Sequence, residues 1–395
     1  MQADISTKQA KSIYSSKIII ATVMLLVAST GVTIGTKMQS DVYNYKHSFM
    51  QTLFIFAGEY LMIFFLFFQT LNRRAREREF KEIIEEGKKE QKSIQPNILW
   101  FSLTTLFDCV GIIFENIALM MLPASIHQVL TGANVVVTCI VSRIMLKREI
   151  HRHHALGNFF AIVGFVVVGY SEHSKEGSDS GTLFLGIAIL ILNLIASAVQ
   201  VNTDELIFHK YEMSVVRAVG LEGLFGMLWI FLFICAGSFF ACPSDSICDL
   251  GGYLEDPVIG TTALLDSLPT IYCSVVMCVS IAVYNFCFLT LTKDVSCVYS
   301  VFMNSLSIMS IWAVSVLLDL EPFEFEAFLW QAGGFCCILL GNVTYNEILP
   351  WRIFGLDKKL KKNLQKEQQY DADNSVMNAT LEKPFQPQEG KAKGD

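Results

Sequence analysis

The chain has 395 residues, of which 52% are hydrophobic and only 17% are charged, and its formal net charge is −7. Long apolar runs alternate with polar connectors, a pattern typical of multi-span membrane proteins that excludes an ordinary soluble fold. No basic face with interleaved aromatic residues is present, so we expect no nucleic-acid partner. The sequence also lacks a phosphate-binding loop, a nucleophile elbow and an HExxH motif. We therefore predict no catalytic residues, no metal, no cofactor and no enzyme activity.

Ten apolar runs follow one another along the chain, each near the roughly 20 residues that cross a bilayer. We predict an all-α integral membrane protein with ten transmembrane helices. The predicted spans cover about 18–36, 49–71, 98–122, 124–146, 155–171, 182–203, 218–240, 269–292, 295–318 and 327–347. Only Leu122-Pro123 and Lys293-Asp294 separate two of the neighbouring pairs, so both joints are expected to be tight hairpins.

An internal repeat organises these spans. The helix pair at 123–172 matches the pair at 295–347 in hydropathy, with Glu149 on Glu321 and Gly169 on Gly341. Such a repeat is a known mark of secondary transporters, whose substrate site forms where the repeats meet. We expect a first five-helix repeat at 18–171 and a second at 182–347. That any two apolar helix pairs resemble each other remains the alternative.

The charged connectors predict the orientation. With both termini cytosolic, only Lys37, Lys46 and Lys175 of the 30 Lys and Arg residues lie on the non-cytosolic side, as the positive-inside rule requires. We expect a cytosolic N-terminus (1–17), a charged cytosolic loop (73–96) with a solvated helix, a luminal acidic loop (241–267) and a disordered cytosolic tail (352–395). Cys242 and Cys248 share the luminal loop and would form a disulfide if that side is oxidising.

Ionisable groups inside the spans are the first candidates for function, because burying them in a bilayer is costly. Span three carries Asp108, Glu115 and Asn116, and the two carboxyls share one helical stripe. Span two carries Glu59. A carboxyl that gains and loses a proton would couple transport to protons, and Glu59 and Asp108 are our candidates. Pairing that merely fixes helix packing is the alternative.

Further polar residues lie at similar depth on other spans. Asn193, Ser197, Gln200 and Asp204 form a stripe on span six, which would line a cavity or form a helix–helix seam. The other predicted cavity residues lie on spans four, eight and nine: Gln128, Thr131, Asn134, Tyr284, Asn285, Ser300 and Asn304. Arg217 and Glu222 open span seven, where we predict an ion pair acting as a gate or structural lock. Gly220, Gly223 and Gly226 in the same span would permit close helix approach.

These residues carry a family resemblance. The segment LPASIHQVLTGANVVVTCIVSRIMLKREI, followed by HALGNFFAIVGFVVVGYSE, resembles the drug/metabolite transporter superfamily with its EamA-type repeats. FAGEY (56–60), YEMSVVRAVGLEGLFG (211–226), LEDP (254–257) and AVYNF (282–286) bring the likeness closest to the F-group of solute carrier family 35. The resemblance implies two inverted five-helix repeats, alternating access about a central cavity, and an endomembrane location that is lysosome-like or Golgi-like. Where many family members have a basic residue, Thr131 stands here, which counts against an anionic nucleotide sugar.

We therefore predict a secondary transporter that moves a small polar organic solute across an endomembrane, by proton coupling or by exchange. A nucleotide-sugar antiporter, a membrane-embedded enzyme, and a scaffold or receptor that has kept a transporter fold are the alternatives. The expected partners are a small-molecule substrate and membrane lipids, and the sequence leaves a homodimer open.

Overall fold

The structure, a computed structural model, describes residues 16–45, 47–71, 96–121, 131–148, 151–172, 180–240, 255–318 and 325–345, with the scattered positions 77, 81, 83–88, 92–94 and 253. Twelve helices of these ranges are labelled in chain order. They are α1 (Ser16–Lys37), α2 (Ser48–Leu71), α3 (Leu99–Met121), α4 (Asn134–Met145), α5 (Arg152–Glu172), α6 (Ser180–Lys210), α7 (Val215–Gly237), α8 (Pro257–Leu265), α9 (Leu268–Asp294), α10 (Cys297–Ser305), α11 (Ser307–Leu317) and α12 (Phe325–Tyr345).

The described residues form no strand, and six of their helical stretches are long and apolar enough to cross a membrane. These are Ser16–Lys37, Ser48–Phe67, Phe184–Lys210, Val215–Gly237, Leu268–Asp294 and Cys297–Leu317. The all-helical, multi-pass membrane architecture is therefore confirmed. The number of ten spans stays a prediction.

Helices pack in pairs that join distant parts of the chain. The most extensive pairings are α5 with α12, α2 with α7, α3 with α6, and α1 with α9. In two of these pairings, glycines allow the helix backbones to approach closely. A Cβ on Gly341 would lie 2.6 Å from the Gly157 carbonyl oxygen, and a Cβ on Gly220 would lie 2.6 Å from Ile63 Cγ1. The predicted close approach at span seven is thus confirmed, because α7 presents small residues to α2.

Several helix ends differ from the prediction. The predicted tight two-residue joint is present but lies two residues later than predicted. α9 runs through Lys293 and Asp294, and the turn is at Val295-Ser296, where the Ser296 side chain caps α10. Predicted span nine is broken at Leu306 into α10 and α11. The acidic loop contains the short helix α8, which begins after Asp256, whose carboxylate accepts from the N–H groups of Val258 and Ile259.

We call the end of the bundle where α1, α3, α7 and α10 begin the N-terminal end. At the opposite end, a buried hydrogen-bonded cluster ties the α1–α2 connector to α8. His47 Nδ1 lies 2.7 Å from Glu255 Oε1, and the backbone N–H of Phe49 donates to Glu255 Oε2 at 3.1 Å. Burial, with a further contribution from nearby Glu255, raises the pKa of Tyr45, so its phenol stays protonated and donates to the Gly260 carbonyl at 3.2 Å. The part of the acidic loop that the structure describes is thus folded onto the bundle, while its luminal location stays a prediction.

Several predictions lie outside the described residues. They concern Gln128, the Cys242–Cys248 disulfide, the first 15 residues of the cytosolic N-terminus and the tail at 352–395. Of the charged loop, residues 83–88 are helical, while the solvated, cytosolic character of this helix stays a prediction.

Candidate functional site

Five carboxyl groups from four helices gather inside the bundle. We call them the carboxyl cluster: Glu59, Asp108, Glu115, Asp204 and Glu222. Glu59 on α2 interacts electrostatically with Asp108 on α3 and with Asp204 on α6. Glu222 on α7 lies within reach of Asp204, Glu59 and Asp108. Of the residues predicted as candidates, the structure thus brings Glu59, Asp108 and Glu115 together, and it adds Asp204 and Glu222 to them.

Amide side chains from α6 and α9 hold part of this cluster. Asn285 Nδ2 donates to Glu59 Oε1 at 2.5 Å. Gln200 Nε2 donates to Asp204 Oδ2 at 3.1 Å, one helical turn away on the predicted polar stripe. Asn193, on the same stripe, hydrogen-bonds to Glu115. The stripe on α6 therefore faces the carboxyl cluster.

Other oxygens of the cluster lack a donor in the part of the chain that the structure describes. There, Glu59 Oε2, Asp204 Oδ1 and Glu222 Oε1 are buried and accept no hydrogen bond from a standard donor, while the Asp204 and Glu222 carboxyls lie close enough to share a proton. The three side chains are buried, with 1%, 2% and 6% of their residue surfaces exposed. A buried carboxylate oxygen without a partner is costly, which is why such groups are rare away from functional sites.

Asp108 and Glu115 are only half-buried, although both lie within α3 and turn toward the cluster. Tyr284 on α9 is close to both carboxyls, and its ring stacks on Phe288 with centroids 5.8 Å apart. Partial exposure of charged groups inside a helical bundle is typical of a water-filled cavity. In the described part of the chain, no three His, Cys, Asp or Glu side chains are arranged to hold a metal ion.

Three predicted cavity residues take part in helix–helix hydrogen bonds instead. Asn134 Nδ2 donates to Ser197 Oγ at 3.2 Å, which joins α4 to α6. Ser29 Oγ donates to Asn304 Oδ1 at 3.2 Å, which joins α1 to α10. Ser300 is buried against α9, with its hydroxyl 2.9 Å from Thr292 Oγ1. The structure thus provides a packing role for each of the three, and their substrate role stays a prediction.

Two further predicted cavity residues are Thr131 and Asn116. Thr131 is half-buried, and its hydroxyl oxygen accepts and donates no hydrogen bond among the described residues. The side chain of Asn116 lies outside the described residues.

The predicted pairing of Arg217 with Glu222 is wrong. Arg217 is exposed near the start of α7, whereas Glu222 is buried with its carboxyl toward Asp204. The two residues are five positions apart, which is about 500° of rotation on a helix, so they point to different sides. Glu222 therefore belongs to the carboxyl cluster.

A second set of carboxyls lies at the N-terminal end, and each is paired with a base. Arg148 forms an ion pair with Glu205, which also accepts from His209 Nε2 at 3.2 Å and from the Cys297 backbone N–H at 2.9 Å. Lys293 Nζ donates to Glu212 Oε1 at 2.5 Å. These contacts join the α4–α5 connector, α6, α9 and the start of α10. Sequence reasoning missed the contacts of Arg148, Lys293 and Cys297, because their partners are 57 to 92 residues away along the chain.

Comparisons with known proteins identify the family of the chain. Residues 15–170 match the EamA-like transporter family. The chain is 31% identical over 330 residues to human solute carrier family 35 member F6, covering 78% of this chain and 80% of the relative. It is 24% identical over 336 residues to an uncharacterised protein of Schizosaccharomyces pombe, covering 83% of this chain and 97% of that protein.

A solved crystal structure superposes with a TM-score of 0.55 at 11% identity, covering 85% of this chain and 99% of that one. At this identity the likeness concerns the fold alone. The apolar helices and the relatives together identify an integral multi-pass membrane protein. The chain belongs to solute carrier family 35, a family of membrane transporters, and carries an EamA-like domain.

Proposed function

We propose that this protein is a secondary transporter that moves a small polar organic solute by alternating access, with the carboxyl cluster at its central site. The observation that carries the proposal is that both halves of the chain contribute side chains to the cluster. Glu59 and Asp108 come from the first predicted repeat, whereas Asp204, Glu222 and the amide of Asn285 come from the second. A site shared between two halves changes its access when one half rocks against the other.

The packing of the helices supports two inverted repeats of five spans. In such a repeat, the five spans of the first half correspond in order to the five spans of the second half. Span five (α5) then has span ten (α12) as its counterpart, and span two (α2) has span seven (α7). Both pairs of counterparts are in contact. Under the same correspondence, a contact between spans three and six (α3 and α6) is equivalent to a contact between spans eight and one (α9 and α1). Both contacts occur. Exchange of the halves therefore preserves the main pairings, as a pseudo-two-fold axis in the membrane plane requires. An even number of spans also supports termini on one side, which we propose is the cytosol.

Proton coupling through Glu59 and Asp108 is part of the proposal. The two carboxyls interact with each other, and Asp108 remains half-buried, so it is accessible to water while Glu59 is not. We propose that this pair passes a proton in step with the solute. We also keep the endomembrane location, lysosome-like or Golgi-like, as part of the proposal.

The test is counterflow in liposomes that contain the purified protein. Liposomes preloaded with an unlabelled solute receive a trace of the same labelled solute, with nucleotide sugars, amino acids and organic cations tried in turn. Trans-stimulated uptake of any one compound is expected, and it must disappear when the protein is omitted. A folded, reconstituted protein that accelerates no compound would contradict transport and favour the scaffold or receptor alternative.

A further inference from the structure

The carboxyl cluster has an excess of negative charge that no described base balances. Every Lys, Arg and His that the structure describes lies within three residues of a helix end or between the labelled helices. Arg148, Lys293 and Lys17 are already paired with Glu205, Glu212 and Asp294 at the N-terminal end. Among the described residues, positive charge is thus confined to the ends of the bundle, while the interior holds carboxyls.

A second observation points to a positively charged ligand. Glu59, Asp204 and Glu222 stand on three different helices and are all more than nine-tenths buried, and one oxygen of each accepts no hydrogen bond from a described donor. Asp204 and Glu222 also hydrogen-bond each other, which requires that one of the two carboxyls holds a proton. Gln200 and Asn285 satisfy the other oxygen of Asp204 and of Glu59. Glu59 is therefore fixed in position with an acceptor that no described donor fills, beside the proton-sharing pair Asp204 and Glu222. A positively charged N–H donor or an onium group would complete this arrangement.

The aromatic side chain of Tyr284 adds to this match. It lies near Asp108 and Glu115, which are the half-buried carboxyls of the cluster. An aromatic ring beside carboxylates favours a cation through the negative charge of its π face. A phosphate or a nucleotide sugar would instead meet like charge, which is unfavourable in a low-dielectric interior.

We infer that the carboxyl cluster binds an organic cation in exchange for protons. This inference rests on the proposed function, because it names the substrate class of the same site. In the absence of the cation, buried carboxyls without a base are neutral only if they hold protons. Among the described residues, the groups that face Asp108 are carboxyls and one phenol, and none of them is a base: Glu59 from α2, Glu115 from its own helix, Asp204 from α6, Glu222 from α7 and Tyr284 from α9. Binding of a monovalent cation therefore releases one proton, and no net charge enters the site.

Proteoliposomes provide the test. We would measure uptake of labelled choline, tetraethylammonium, guanidinium and spermidine, with labelled UDP-glucose as the anionic probe, into vesicles that are more acidic inside than outside. At least one cation should accumulate, and a pH-sensitive dye in the lumen should report proton loss in step with uptake. Glu222→Gln should lower cation uptake by about tenfold or more, the effect of losing one charge-assisted contact. Asp204→Asn serves as a second variant if Glu222→Gln does not fold.

The matched control is Asp294→Asn. It removes a carboxylate from the same protein, but at the N-terminal end, where Lys17 Nζ lies 2.7 Å away and is exposed. Uptake by this variant should stay within about twofold of the original protein, since exposed ion pairs contribute little.

The outcomes separate the inference from the proposed function. Uptake of UDP-glucose without uptake of any cation would overturn the inference and leave transport standing. Cation uptake that both Glu222→Gln and Asp204→Asn leave unchanged would overturn the role of the cluster. Failure of all five probes with folded protein would count against the cation site, and counterflow with the wider solute set would then decide on transport itself.

Discussion

Asp204 and Glu205 are neighbours on α6, yet their carboxyl groups have opposite surroundings. Glu205 is fully engaged, by Arg148, His209 and the Cys297 backbone N–H. Asp204 accepts a hydrogen bond from Gln200, lies within hydrogen-bonding reach of Thr104 and Glu222, and has no base beside it among the described residues. One step along a helix turns a side chain by about 100°, which is enough to move a carboxyl from one environment to the other.

The difference separates two uses of buried charge. A carboxyl with a fixed base in the protein is part of the fold, since removal of the base leaves an uncompensated charge. A carboxyl without a base must obtain its positive charge from a proton or from a ligand. The four predictions that follow test this separation, from the largest expected effect to the smallest.

Arg148→Ala should destabilise the protein most. The substitution leaves Glu205 buried without its guanidinium, and breaking a buried pair costs about 3–5 kcal/mol of unfolding free energy. Chemical unfolding in detergent micelles measures this loss. If the free energy of unfolding fell by less than about 1 kcal/mol, Glu205 would not depend on its base and the comparison would break down.

Gly223→Ala should also destabilise the protein, by about 1–3 kcal/mol, because overpacking a tight contact forces the helices apart. A Cβ at Gly223 would lie 2.6 Å from the Glu59 carbonyl carbon, so the change also tests whether α7 holds Glu59 in place. Gly333→Ala is the matched control, since a Cβ there meets no atom within 4 Å. An equal effect of the two substitutions on the unfolding midpoint would contradict close packing of α2 and α7.

Asp204→Asn should change the free energy of unfolding by less than about 1 kcal/mol, because no base loses its partner and the amide can still accept from Gln200. The neighbouring change Glu205→Gln should cost clearly more. Parallel unfolding curves of the two variants provide the measurement. A larger loss for Asp204→Asn than for Glu205→Gln would reverse the roles that we assign to them.

Asp294→Asn should have the smallest effect. Lys17 has 66% of its side-chain surface exposed, and exposed ion pairs contribute about 0–1 kcal/mol. Whatever effect remains should shrink further in high salt, which screens surface charges. A salt-independent loss would show that this pair is more deeply structural than its exposure indicates.

Hydropathy made much of the fold predictable. Long apolar runs must be helical to satisfy their backbone in a bilayer, so the helix positions followed from composition and length. The break of predicted span nine at Leu306 was not predictable, because no proline, glycine or charge stands there. The short helix α8 was missed although its signal was present, with Asp256 as a capping residue and Pro257 at the first helical position.

The candidate site was predictable where one helix carried the pattern. The spacing of Asp108 and Glu115, and that of Gln200 and Asp204, placed those side chains on common stripes. Contacts between helices were not predictable in this way. Arg217 was assigned to Glu222 by nearness in sequence, while the true neighbour of Glu222 is Asp204, 18 residues away on another helix.

The most direct test of the account is the pH dependence of exchange by Asp108→Asn in proteoliposomes. The variant should fold and insert like the original protein. Its exchange activity should be lost, or should no longer depend on the pH difference across the membrane. Asp294→Asn, measured in parallel, should keep both the rate and its pH dependence. An Asp108→Asn variant that exchanges solute at the original rate at every pH would contradict the central role of the carboxyl cluster.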